Sequence, residues 1–214
     1  MPAIESELIT AGEDYRLRCE AMQKALDEFR AAEEQVAATE RGAKEKFVKR
    51  GKLLPRERID KLLDPGAPFL ELMSLAGRKM HDDRDGSTAG GGVISGIGYV
   101  GGIRCLVTAS NSAIKGGTIA PAGLHKSLRL LEIARQNKLP IVALAESGGA
   151  NLNYATDVFV DGARSFANQA RLSAHGIPQV TVVHGNATAG GAYQPGLSDY
   201  VIMVRGKTKM FLAG

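Results

Sequence analysis

Beyond about residue 92, an apolar run is followed three times by a glycine pair and then by a helical pattern, and this repeat limits the folds open to the chain. The runs are Ile103–Ala109, Leu139–Ala145 and Gln179–Val183; the stretches after them are Lys115-Gly116-Gly117-Thr118, Ser147-Gly148-Gly149-Ala150 and Ala189-Gly190-Gly191-Ala192. Short apolar runs punctuated by glycine read as buried strands, and their alternation with helices argues for an α/β fold. If the strands are parallel, all three loops emerge at one sheet edge, where ligands bind in such folds. The third loop matters most. A chain that leaves a buried strand and enters a helix through Gly190-Gly191 brings bare backbone close to a ligand and presents amides that have no partner inside the helix. Such a turn suits an anion or an oxyanion.

The texture of the chain changes near residue 66. Only four of the 26 glycines (Gly12, Gly42, Gly51 and Gly66) precede residue 67. Residues 1–64 carry 13 bases against 14 acids, a net of −1 that leaves +5 for the remainder of a chain of net charge +4. The excess is scattered, and aromatic residues are 5% of the total, so neither the stripe of charge nor the stacking platform of a nucleic-acid binder is present. Cys19 and Cys105 stand apart, without metal-ligand or redox spacing, and read as free thiols of a reducing compartment. No run approaches the about 18 apolar residues of a membrane span. Met1–Glu7 lacks the basic start and apolar core of a secretory signal, so the expected location is cytoplasmic.

In order, residues 11–50 read as a helical pair whose sparse stripe (Leu17, Met22, Leu26, Phe29, Val36, Phe47) is expected to pack on a body or a neighbouring subunit. Gly51 closes it, and Pro55 opens a short helix ended by Asp64-Pro65-Gly66. Phe69–Met73 reads as a strand and residues 77–92 as a polar, mobile loop. Its His81, Asp82, Asp83 and Asp85 lack the second ligand group a metal site needs, so no metal is expected. Val93–Val100 and Ile103–Ala109 form a hairpin about Gly101-Gly102. Residues 121–137 are an amphipathic helix with Leu124, Leu128, Leu131, Ile133 and Ala134 inward and Lys126, Arg129, Arg135 and Lys138 outward. A loop through Tyr154 and Asp157 leads to a helix over about 162–175 ending at His175, and Tyr200–Val204 is a last strand. The division is residues 1–66 as a helical segment and 67–214 as the glycine-rich domain.

None of the three loops is GxGxxG or GxxxxGK[ST], and no GxSxG elbow surrounds Ser147 or Ser198. Of the four histidines only His184, read at a strand end beside the third loop, is placed for chemistry, and a structural role fits it better. Glu146, Asp157 and Asp199 lack acid/base pairing and fit the positioning of loop backbone. What remains is catalysis by backbone donors: amides aimed at a thioester oxygen would stabilise an enolate, each supplying roughly 10²–10³ in rate.

From about Lys52 onward the sequence resembles the N-terminal half of the carboxyltransferase (β) subunits of biotin-dependent acyl-CoA carboxylases, a crotonase-superfamily group. The resemblance is carried by Gly51–Asp64, Lys115-Gly-Gly-Thr118, Glu146–Leu152, Asn168–Gln179 and Thr188–Tyr193. Ser147-Gly-Gly-Ala-Asn-Leu152 is more similar to the methylcrotonyl- and geranyl-CoA branch than to the propionyl branch. The resemblance implies an α/β, crotonase-like (ClpP/crotonase) superhelix of repeated β-β-α units with an N-terminal helical extension. It further implies transfer of a carboxyl group from carboxybiotin, borne on a separate carrier, to an acyl-CoA. Gly190, Gly191 and the adjacent Ala192 become the enolate-stabilising group; Lys115, Gly116 and Gly117 lie along the CoA, and Ser147, Gly148, Gly149 and Ala150 line the acyl pocket. The implied partners are a biotin carboxylase and biotin carrier subunit, a second carboxyltransferase half that supplies the biotin side, and further copies in a hexamer. Tyr193 stands where superfamily hydratases carry a glutamate, and Ala189 where its peptidases carry a serine, so those chemistries lose their key group. A non-catalytic acyl-CoA-binding or assembly module, or a related acyl-CoA decarboxylase, is the alternative.

Overall fold

A computed structural model describes residue 7 and residues 9–212; the rest of the N-terminal stretch read above for a signal sequence, and Ala213 and Gly214, lie outside the described residues. Helix α1 runs Glu13–Gly42 and α2 Lys44–Lys49, the helical pair expected from their charged, alanine-rich sequence. Acidic Glu13 and Asp14 open α1 and Arg41 closes it, each complementing the helix dipole. Only its C-terminal part packs on the body: Ala32, Val36 and Glu40 are buried, whereas Leu17, Met22, Leu26 and Phe29 are exposed. Gly51 follows α2 at φ 62°, and Pro55 starts α3 (Pro55–Leu62), whose Glu57 accepts from the Leu54 amide at 2.9 Å.

The sheet contains β1 (Leu70–Glu71), β2 (Val93–Val100), β3 (Ile103–Ser110), β4 (Ile141–Ser147), β5 (Gln179–Thr188), β6 (Tyr200–Met203) and β7 (Lys209–Phe211). Strands β1 to β6 are neighbours in chain order, and β7 pairs with the far end of β5. The hairpin β2–β3 is antiparallel; β3, β4, β5 and β6 are parallel. The connections are α4 (Pro121–Asn137), α5 (Ala155–Ala174) and the short α6 (Gly190–Gly196). On one sheet face, Ile59 of α3 packs with Ile94, Val107, Val142 and Leu144. On the other, Leu130 and Ala134 of α4 and Leu172 of α5 close over Leu106 and Ile141. Strand β4 is buried along its whole length, covered on both faces, and this explains why it is a continuous apolar run rather than an alternating one.

Several local expectations are corrected. Lys126 does not face solvent: its side chain is buried and donates to Gly90 O at 3.1 Å and Val93 O at 2.6 Å. The carbonyls of Gly90, which also accepts from Val93 N at 3.3 Å, and of Val93 at the start of β2 point inward, and a long lysine stem can cross an apolar face to reach them. Burial pushes its ammonium down to about 8. Residues 77–92 are a tied-down stretch rather than a loose loop, because Asp83, itself buried, accepts from the Lys79 and Thr88 amides and the Thr88 hydroxyl. Helix α5 begins at Ala155, well before residue 162, and absorbs Asp157 into its first turn; an Asn151 side chain accepting from Asn153 N (3.1 Å) leads into it. Only Leu70–Glu71 of the 69–73 run is strand. His184 lies within β5, not at its end.

Candidate functional site

Because β3, β4 and β5 are parallel, the three glycine-bearing loops leave the same end of the sheet and pack on one another. Ile119 pairs in parallel with Ala150 across the first two, through Ile119 N to Gly149 O (2.9 Å) and Asn151 N to Ile119 O (2.8 Å). At Gly117 a Cβ would stand 2.7 Å from Glu146 O, and at Gly191 one would stand 2.6 Å from the Ser147 side chain. Real Cβ atoms do not approach so closely, so these two glycines are what let the three loops stack. Ser147 is the hub: its Oγ accepts from Gly149 N at 3.1 Å and lies 3.4 Å from Gly117 O.

The stacked loops close one end of a cavity of about 650 Å³ that runs between the sheet and helices α4 and α5. That is the size of a small-molecule site. Gly117, Ser147, Gly148, Gly149, Ala150, Gly190 and Gly191 all reach its wall; Lys115, Gly116 and Ala192 do not. Lys115 and Gly116 are exposed. Ala192 packs instead toward Ala145, Val183 and Ala187.

Helix α6 starts at Gly190, as its glycine pair predicts. Neither the Gly190 nor the Gly191 amide is donated to an acceptor among the described residues, whereas Ala192 N is spent on Ala189 O at 2.8 Å. Ala189 enters the turn at φ 48°, ψ −119°, a conformation ordinarily left to glycine, and its amide is held by Phe211 O of β7 at 3.0 Å. A Cβ at Gly190 would meet only Phe166 Cζ, at 3.9 Å. Phe166 stacks edge-on against Tyr193 with ring centroids 5.0 Å apart. Of the α5 residues on the cavity wall, Val158 and Phe159 escape sequence reading because the loop-like residues before 162 hide the true helix start; Phe159 and Phe166, seven apart on one helical face, are the signal that could have found them.

Of the charged residues flagged in the sequence, Glu146 is buried and bonded by Ser112 Oγ (2.9 Å) and by Lys52 Nζ. Burial pushes its carboxyl up, but the Lys52 and Ser112 bonds outweigh this and hold it below the usual range. His184 Nδ1 lies 3.7 Å from Glu146 Oε2, yet neither ring nitrogen has a hydrogen bond among the described residues. Asp199 accepts from Gln179 N (2.8 Å) and Ser173 Oγ (2.9 Å) and fixes the start of β5. His175 caps α5 through Arg171 O. Among the described residues no group of three or more His, Cys, Asp or Glu is placed to hold a metal, and no helix is long and apolar enough to cross a membrane.

A mixed sheet whose parallel strands stack their glycine loops at one end, with an apolar cavity beneath them, is the crotonase-type arrangement of carboxyltransferases. The chain belongs to the carboxyl transferase domain family, whose profile, described as "Carboxyl transferase domain", matches residues 46–214. It is 50% identical over 175 residues to the biotin-dependent 3-methylcrotonyl-coenzyme A carboxylase beta1 subunit of Mycobacterium tuberculosis, covering 80% of this chain and 32% of that one. With the probable mitochondrial methylcrotonoyl-CoA carboxylase beta chain of Drosophila melanogaster it shares 43% identity over 215 residues, 99% of this chain and 37% of the other. Among solved structures, the P. aeruginosa geranyl-CoA carboxylase beta subunit is 67% identical with a TM-score of 0.92, covering 100% of this chain and 40% of that one. The transcarboxylase 12S hexamer, solved with methylmalonyl-coenzyme A, is 28% identical with a TM-score of 0.77 over 91% of this chain and 38% of its own. The chain thus spans about a third of the length of the curated relatives it matches, less than the half expected from sequence.

Proposed function

We propose that this chain forms the acyl-CoA side of a carboxyltransferase site in a biotin-dependent acyl-CoA carboxylase. The observation that carries the reading is the pair of amides at Gly190 and Gly191, undonated among the described residues, on the wall of an apolar cavity, in a chain of the carboxyl transferase domain family. When an acyl-CoA loses its α-proton, negative charge gathers on the thioester oxygen. Two preorganised N–H groups meet that charge without reorganising, and this is where such donors lower a barrier most. Ala192, its amide already engaged, steadies the turn rather than the enolate. The Ser147–Ala150 loop lines the acyl pocket, and Lys115, Gly116 and Gly117 follow the CoA, the exposed Lys115 ammonium meeting a phosphate at the cavity rim.

Carboxybiotin, on a separate carrier, would supply the activated carboxyl group, and the ureido nitrogen freed when that N–C bond breaks would take the α-proton. The open space over Gly190, with Phe166 as its nearest wall, fits the approach of such a group from outside. The residues that grip the biotin ring are assigned to a second carboxyltransferase half, and biotin carboxylase, carrier and further copies of the subunit complete the assembly. Residues 1–66 as a helical segment and 67–214 as the carboxyltransferase-like domain is part of the same proposal, with α3 packed into the domain through Ile59.

Gly190→Val in the complete subunit tests the reading. A branched side chain over the amide pair is expected to abolish carboxylation of every acyl-CoA tried while thermal unfolding stays cooperative. Unchanged turnover would count decisively against backbone catalysis here.

A further inference from the structure

On the side of the sheet where α3 packs lies a polar cluster that takes no part in lining the cavity: Glu146 and His184 from neighbouring strands, Lys52 from the segment before α3, and Ser112 from the loop after β3. Glu146 sits where the β4–β5 register breaks. Ala145 pairs with Val183, but Ser147 pairs with Ala187, so β5 spends two extra residues in passing this point. Such an insertion bends a strand and re-aims the residues beyond it. The extra length runs around the Glu146 carboxylate, because a Cβ on Gly185 would stand 2.6 Å from its Cδ. The strand then delivers Gly190 and Gly191 a few residues later. The other carboxylate oxygen takes the Ser112 hydroxyl at 2.9 Å, and Ser112 begins the turn that becomes Lys115-Gly116-Gly117-Thr118.

We propose that Glu146 is a positioning residue that sets both ends of the candidate site: through Ser112 it fixes the loop that holds the CoA, and through its packing on Gly185 it sets the path of β5 into the Gly190–Gly191 amides. The proposal rests on the carboxyltransferase reading of that site. Glu146 itself touches no substrate. The two routes predict different kinetic losses, since the CoA loop binds ground state and transition state alike while the amide pair meets charge that exists only in the transition state.

The test uses the full-length subunit that carries this chain, assembled with its biotin-bearing partners, with initial rates measured against acyl-CoA and thermal unfolding recorded for each variant. Ser112→Ala is expected to raise KM for acyl-CoA about fivefold, the size of one lost hydrogen bond, with kcat held within about twofold. Ser112→Thr, which keeps the hydroxyl, restores KM. Gly185→Ala, whose methyl displaces the carboxylate, is expected to lower kcat about tenfold or more by re-aiming the amide pair, with KM rising no more than in Ser112→Ala because the displaced carboxylate also loses Ser112. Parallel losses in both variants, losses that track the unfolded fraction, or unchanged kinetics would overturn the role of Glu146. A wild-type assembly inert toward every acyl-CoA would instead overturn the carboxyltransferase reading beneath it.

Discussion

Ala189 holds a backbone conformation that costs a residue with a Cβ about 1–3 kcal/mol, and it does so directly before the glycine pair. The strain is maintained from both sides, by Phe211 O on its amide and by Ala192 N on its carbonyl. Ala189→Gly is therefore expected to leave the melting temperature unchanged or raise it slightly, because relief of strain offsets the added chain entropy, while loosening the turn that aims the amides. The check is a pair of measurements: differential scanning calorimetry on the variant, and kcat in the complete carboxylase, which should fall. His184 gives a pH prediction. Burial, then the charges of Arg58 and Lys52, push its imidazole down to about 4 from 6.5, with Glu146 pulling the other way. The unfolded chain therefore takes up a proton before the folded one as pH drops, and stability falls from pH 6.5 to 4. Glu146, also held low, adds to the acid loss in the same direction. In His184→Asn the stability lost between pH 6.5 and 4, followed by urea unfolding, should be smaller than in the wild type.

At the scale of elements, one arginine links α1, α3 and β1, beside the apolar packing of Val36 on Ala89 and Ile114. Arg56 of α3 grips Glu71 of β1 with two bonds, 2.6 and 3.0 Å, and stands 3.3 Å from Glu40 of α1. Glu40 is almost wholly buried, receives the Arg56 amide at 3.0 Å, and has its carboxyl pushed up by that burial. Arg56→Met leaves this carboxylate without its counter-charge. Leaving a buried acceptor without its charged donor costs about 1–3 kcal/mol, so the variant should unfold at lower urea, and Glu40→Gln in the same background should recover part of the loss. The elements themselves are largely legible in sequence. Helix α4 is bounded correctly by Pro121 and the glycine- and proline-free run after Gly123, and the β2–β3 hairpin by Gly101-Gly102. The start of α5 is not, because Asn151–Thr156 is polar and punctuated like a loop. Its helical state is decided by Val158 and Leu172 packing into the interior.

For the molecule as a whole, the last strands are the conspicuous feature. Tyr200, Val201, Ile202 and Met203 of β6 are all exposed, and Phe211 and Leu212 beyond them are too. A flat apolar strand at the end of a sheet is a template for another chain. Expressed alone, this chain should associate with rising concentration in sedimentation velocity, and Val201→Lys with Met203→Lys should suppress that association while leaving far-ultraviolet circular dichroism unchanged. The candidate site shows how far sequence reaches. Seven of its ten named residues meet at one cavity because parallel strands place their loops together. Lys115, Gly116 and Ala192 fall outside the wall because a loop's sequence does not reveal which way it folds back.

Residue order alone determined the alternation of strand and helix, the helix start at Gly190 and the places where backbone must approach without a Cβ, since these follow from period, propensity and the stereochemistry of single residues. Tertiary structure decided what those local signals cannot encode: that Lys126 turns inward to two carbonyls, that Ala192's amide is spent within its own turn while its neighbours' find no acceptor among the described residues, and that Glu146 lies where β5 makes its detour. Each of these depends on which distant group happens to lie within hydrogen-bonding reach, and only the packed sheet sets that distance.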